Sequence, residues 1–203
     1  MTTDLDLHPG EKVAAKFEAA WSVFGQTCSH FVAPEATYQA WFAHYLISQF
    51  GIDRVAREPN FKHRHFTSPW AEHVPGGEVK LDVFVTRQHG LALPHYVHRG
   101  GLGDGLHTLV DVAIISELKV AATQGEGLSH TEVAQDVYKL SMLLDEMERR
   151  DLVGPRPLAY FCLLDNRVGH RYNREWLTKR LSSVAAHEGV KILFWPAAQG
   201  PAH

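Results

Sequence analysis

Apolar positions follow two rhythms along this chain, and the switches between them outline its elements. Over residues 11–24, Val13, Phe17, Ala20, Trp21 and Phe24 fall at helical spacing, and Gly25 supplies a stop. From Pro34 the positions Tyr38, Trp41, Phe42, Tyr45, Leu46 and Gln49 keep the i, i+3, i+4, i+7 rule until Gly51, which predicts a second helix with a wide aromatic face. Residues 54–66 suit a short strand and an exposed turn. After Pro75-Gly76-Gly77 the rhythm changes to two: Val79, Leu81, Val83 and Val85 point one way, Lys80, Asp82 and Phe84 the other, so 78–87 reads as a strand. Residues 88–108 hold five glycines and four histidines without a period and read as a long connection.

A second, more apolar strand is predicted over Asp111 to Val120, with Ala113, Ile115, Glu117 and Lys119 on one face. Following the polar break at 123–127, Ser129 starts a helix whose stripe is Val133, Val137, Leu140, Leu144 and Met147. Gly154-Pro155-Arg156-Pro157 ends it. Leu158 to Leu164 has the unbroken apolar character of a strand covered on both sides, 173–187 reads as a helix and 190–195 as a last strand. Helices between the late strands call for parallel pairing there, and the earlier hairpin for antiparallel pairing. The expected class is α/β, a central mixed β-sheet flanked by helices.

At 203 residues, with 45% apolar and 21% charged positions, the chain suits one domain over 1–203, with 1–10 and 196–203 as flexible tails. A net charge of -3 gives no global field toward nucleic acid or membrane, so any such contact must be local. The first residues have neither the basic start nor the apolar core of a secretory signal, and no apolar run approaches the roughly 20 residues that span a bilayer. A cytoplasmic location without membrane contact is expected. Cys28 and Cys162 are read as reduced thiols. The 14 histidines are scattered without zinc-site spacing, and His95, His98 and His107 either overlie a site mouth or are ordinary loop residues.

Charges inside apolar strands cost free energy unless they are partnered, and Asp82, Glu117 and Lys119 stand in such strands. Strand pairing would bring the three together. Two carboxylates offer hard oxygen ligands for magnesium or manganese, and a lysine beside them can offset charge developing on a phosphate. Asp111 takes the place of Asp82 if the hairpin register differs.

Leu81-Asp82 on one strand, Glu117-Leu118-Lys119 on the next, and a helix carrying Gln135, Asp136 and Lys139 together resemble the PD-(D/E)XK nuclease superfamily. The resemblance covers roughly residues 34–164 and departs from the family at Leu81, where proline is usual, and in the long gap between the two carboxylates. It implies a restriction-endonuclease-like fold and a metal-dependent nuclease that hydrolyses phosphodiester bonds in DNA or RNA, with Mg2+ or Mn2+ as cofactor. In that scheme Asp82 and Glu117 are metal ligands, the Leu118 carbonyl a third, and Lys119 is catalytic.

Glu35 best matches the acid that many members carry on the preceding helix, and it equally suits a first-turn complement to the helix dipole. Gln135 and Lys139 are candidates for nucleic-acid contact or a solvent-facing pair. Arg167, Arg171 and Arg174 belong to a basic run that could track phosphates or simply be a solvated face. The expected partner is nucleic acid, DNA ahead of RNA, and a homodimer would suit cleavage of both strands of a duplex. A catalytically inactive relative that binds nucleic acid or a protein partner is the alternative, and the net charge of -3 favours it somewhat. A different α/β fold, in which the three residues do not converge, is the third.

Overall fold

The computed structural model describes residues 9–90, 105–121, 128–167, 172–183 and 189–196. Helices α1 (Pro9–Cys28) and α2 (Glu35–Phe50) pack side by side, with Phe42 set among Phe17, Trp21 and Phe24 at ring-centroid distances of 5.6, 5.7 and 5.2 Å. Ring pairs of this kind add about 0.5–1.5 kcal/mol each beyond the area they bury. α2 begins after Pro34 and ends before Gly51, whose φ of 92° favours glycine. α1, in contrast, does not stop at Gly25 and continues to Cys28. This glycine answers a packing demand: a Cβ here would lie 2.3 Å from the Trp195 ring.

Residues 54–66, expected as a short strand and an exposed turn, hold two strands: β1 (Val55–Arg57) and β2 (Asn60–Lys62). The alternating run 78–87 splits likewise into β3 (Glu78–Lys80) and β4 (Val83–Thr86). Both splits have one cause. β1 pairs with β4 in the main sheet, whereas β2 pairs with β3 in a separate two-stranded sheet. Backbone bonds from Glu58 N to Asp82 O and from Leu81 N to Pro59 O tie the two bends together. Alternation runs unbroken through Leu81 and Asp82, so no pattern marks the break.

The 3-10 turn Leu106–Asp111 precedes β5 (Val112–Val120), so Asp111 closes that turn and does not open the strand. Then come α3 (His130–Arg149), β6 (Leu158–Leu164), α4 (Arg174–Ser183) and β7 (Val190–Trp195). The five-stranded sheet has the order β1-β4-β5-β6-β7, with β4 antiparallel to β5 and β5, β6 and β7 parallel. The mixed α/β sheet flanked by helices is therefore the architecture observed. α1 and α2 supply the apolar core on one face, and α3 with Leu177 and Leu181 of α4 that on the other. All five residues of the predicted α3 stripe are buried.

The β2–β3 sheet and a 3-10 turn, Pro69–His73, lean on α3, where Trp70 stacks on Tyr138 at 5.5 Å. Glu146 of α3 is 1% exposed and anchors this lobe by accepting from the Thr67 and Ser68 amides at 2.8 and 3.0 Å and from Arg150 Nε at 2.8 Å. A carboxylate so deeply buried persists only with such partners. Cys28 and Cys162 are buried free thiols. Among the described residues no helix is long and apolar enough to cross a membrane.

Gly25→Ala should lower stability by about 1–3 kcal/mol through the forced shift of the Trp195 ring. Urea unfolding reads this, and Trp195→Leu in the same background should return part of the loss.

Candidate active site

β4 pairs with β5 only as far as Val83 opposite Ser116. One residue earlier the backbone has bent toward residues 58 and 59, and the sheet opens into a notch beside Glu117, Leu118 and Lys119. The Asp82 side chain spans the notch. Its Oδ2 accepts from the Leu118 amide at 2.7 Å, and its Oδ1 from Gln39 Nε2 of α2 at 2.6 Å. Glu117, 2% exposed, lies near enough to the Asp82 carboxyl for the two to perturb each other.

Lys119 Nζ lies 3.3 Å from Glu35 Oε1 of α2 and 3.2 Å from Asp136 Oδ2 of α3. Asp136, 3% exposed, holds Lys139 Nζ at 2.5 Å through its other oxygen, and Lys139 Nζ is 3.6 Å from Glu117 Oε1. Two helices on opposite faces of the sheet, strand β5 and the bend before β4 thus contribute to one cluster of four carboxylates and two ammonium groups.

The electrostatics follow from this crowding. Burial pushes the Asp82 carboxyl up to about 6, against the pull of the Leu118 N–H, with Asp136 adding to the rise. Burial likewise raises Glu117 well above the usual carboxylate range, helped by the nearby charges of Asp82 and Asp136 and only partly countered by Lys139. Burial alone would lower the two lysines. Asp136 and Glu35 hold Lys119 above the usual lysine range, and Glu117 and Asp136 do the same for Lys139. The cluster therefore carries positive lysines beside a carboxyl pair that retains a proton readily.

A cleft of about 430 Å³ opens over the cluster between the 74–80 segment and α3, lined by Lys80, Lys119, Gln135, Asp136 and Lys139 among others. Asp82, Glu117, Lys119 and Glu35 thus come together as the pattern of the chain suggests, and Gln135 and Lys139 line the opening. Leu118 presents its amide to Asp82. The register puts Asp82, not Asp111, beside Glu117: Asp111 is exposed at the far end of β5, where its carbonyl accepts from Arg87 N.

Arg167 follows β6 and Arg174 donates to Pro196 O at 2.5 Å beneath its contact with the Phe194 ring, and neither lines the cleft. Arg171, His95 and His98 lie outside the described residues, and His107 is exposed in the distant 3-10 turn. Gln39 was not singled out in the sequence, and Asp136 was named only as part of its helix, with no role at the site. Each carries a signal, since Gln39 is four residues from Glu35 and Asp136 three from Lys139, spacings that share a helix face. No protein-family model, curated protein sequence or solved structure matches the chain.

Asp82 keeps a proton in the fold that it would release from an unfolded chain, so stability should fall as pH rises from about 4 through about 6, and the raised Glu117 carboxyl acts in the same direction. Glu117→Gln keeps the shape without the titration. In chelator it should flatten this slope and raise stability at about pH 7, as read from urea midpoints across the range.

Proposed function

We propose that the chain is a metal-dependent nuclease that hydrolyses phosphodiester bonds in nucleic acid, DNA ahead of RNA. The observation that carries this is the convergence of Asp82, Glu117 and Lys119 at one break in a β-sheet, beneath a cleft bordered by further lysines. The order helix, antiparallel strand pair, helix, parallel strand supports a restriction-endonuclease-like arrangement for this core.

A hard divalent cation, Mg2+ or Mn2+, suits the donor set. Asp82 and Glu117 are two neighbouring carboxyls, and Glu117 Oε1 is buried without a hydrogen-bond partner among the described residues. Those residues contain no group of three or more His, Cys, Asp or Glu side chains disposed around one point, so the protein would supply two carboxylates, with the Leu118 carbonyl as third donor. When bound, such an ion acidifies a water and polarises a phosphoryl oxygen.

The remaining residues have roles of their own. Gln39 and the Leu118 amide fix the rotamer of Asp82. Glu35 and Asp136 hold the Lys119 ammonium from two sides, so it can face the negative charge that grows on a phosphate during attack. Lys139, Lys80 and Gln135 border the path by which a phosphate backbone would enter.

A second reading, a nuclease-like domain without catalysis that binds nucleic acid or a protein partner, draws on a different observation. Lys119 and Lys139 already neutralise the acidic cluster from within, as in a structural ion-pair network.

Purified protein should cut labelled DNA or RNA with Mg2+ or Mn2+ and not with chelator. Asp82→Asn and Glu117→Gln should each reduce the rate by at least about a thousandfold while remaining folded. Lys119→Ala should lower turnover more than it weakens the metal-induced rise in melting temperature. Folded protein that neither cuts any substrate nor gains stability from either ion supports the second reading.

A further inference from the structure

The opposite end of the same strands carries the reverse chemistry. Arg54 precedes β1, Arg87 follows β4 and Arg156 precedes β6, and all three line a cleft of about 430 Å³ whose remaining walls are Val13, Ala113, Pro155 and Leu158. From Val112, where β5 begins, to Lys119 is seven residues, or roughly 23 Å, so this cleft is remote from the acidic cluster.

Two of the guanidinium groups are locked in place by backbone carbonyls. Arg54 gives Nε and Nη2 to Thr86 O at 2.8 and 2.6 Å and lies 5.5 Å from the Phe50 ring centroid. Arg87 gives Nε to Val110 O at 3.0 Å and Nη2 to Pro155 O and Arg156 O at 2.7 and 2.9 Å. Carbonyl dipoles orient a cation without cancelling its charge. No carboxylate among the described residues lies within ion-pair distance of Arg54 or Arg87, and the Nη1 atoms of both make no hydrogen bond there.

The neighbouring acids do not close the gap. Asp53 is taken by His89 at 3.0 Å, Glu148 pairs with Arg156, and Asp111 acts on Arg87 only from beyond ion-pair distance. Arg54 and Arg87 are thus half-buried cations that each keep an Nη1 donor clear of the carbonyls that orient them.

We propose that this cleft is a binding site for a phosphate group carried on a compact organic moiety, such as a mononucleotide. The Nη1 donors that Arg54 and Arg87 bring from two separate segments, with Arg156 at the rim able to exchange Glu148 for the ligand, suit a tetrahedral anion, which accepts in several directions, better than a planar carboxylate. The volume exceeds that of a phosphate alone and falls in the range of small-molecule sites, and the Val13, Ala113 and Leu158 wall offers apolar area for the rest of the ligand. The phosphate can belong to a free ester or to the end of a nucleic-acid strand, and this proposal does not depend on the nuclease reading.

Calorimetric titration of the full chain in chelator, with inorganic phosphate, AMP and a short 5′-phosphorylated DNA oligonucleotide, tests it. AMP should bind one to one, more tightly than inorganic phosphate and in competition with it. Arg54→Gln and Arg156→Gln should each weaken AMP by about tenfold or more, and Glu117→Gln at the distant cluster should leave it unchanged. Displacement of AMP by the oligonucleotide assigns the phosphate to a strand end; no displacement assigns it to a free ester. Because Arg87 also braces three carbonyls, Arg87→Lys, with folding checked by circular dichroism, replaces its deletion. Absence of AMP binding at millimolar concentration, binding untouched by both Arg54→Gln and Arg156→Gln, or binding lost in Glu117→Gln would overturn the proposal.

Discussion

Where β4 bends away from β5, the Leu118 amide is met at 2.7 Å by the Asp82 carboxylate in place of a strand carbonyl. An amide buried beside an apolar strand must have a partner, and this side chain provides it only because the backbone at Asp82 has turned toward Glu58. The substitution draws a carboxylate into the sheet interior, and the rest of the notch follows. Gln39 takes the second oxygen, Glu117 lies against the first carboxyl, and α3 brings Asp136 and Lys139 across the opposite face.

Such a cluster is a poor way to make a protein stable. Desolvating four carboxylates and two ammonium groups costs several kcal/mol per ion, and well-packed apolar side chains of equal volume often serve as well or better. The apolar cores on the two faces of the sheet, with the Phe17, Trp21, Phe24 and Phe42 rings in one and the α3 stripe in the other, supply burial enough to carry it. Lys119, Asp136 and Lys139 line the cleft, and the two carboxyls of raised proton affinity, Asp82 and Glu117, lie beneath them. Asp136 holds both lysines, Lys119 at 3.2 Å and Lys139 at 2.5 Å, so the cluster's charges are largely matched from within.

The two ends of the sheet divide the charge between them. Acidic residues gather where β4 parts from β5, and guanidinium groups gather where β4 ends and β6 begins. The lobe of β2, β3 and the Pro69–His73 turn borders the first cleft, and the buried Glu146 sets its place against α3. Phe61, Phe66, Trp70, Val74 and Val79 of the lobe join the apolar core of the α3 stripe, and with Glu146 they set the Lys80 side of the cleft opposite Lys139.

Periodicity was enough for much of this. The apolar stripe of α3, the aromatic face of α2, the all-apolar β6 and the alternation of late strands with helices each reflect burial repeating at 3.6 or 2 residues, a local property that a chain displays before it folds. Asp82, Glu117 and Lys119 were legible because charge inside an apolar pattern is conspicuous, whereas Glu35 was singled out only through the family resemblance. Pairing was not legible. The split of 78–87 between two sheets, the extension of α1 through Gly25 beneath Trp195 and the recruitment of Gln39 and Asp136 all depend on which distant segment arrives as a neighbour. The sequence by itself determined the elements and the charged residues that must find partners; only the tertiary structure decided which partners they found, because contacts between residues tens of positions apart leave no period in either segment.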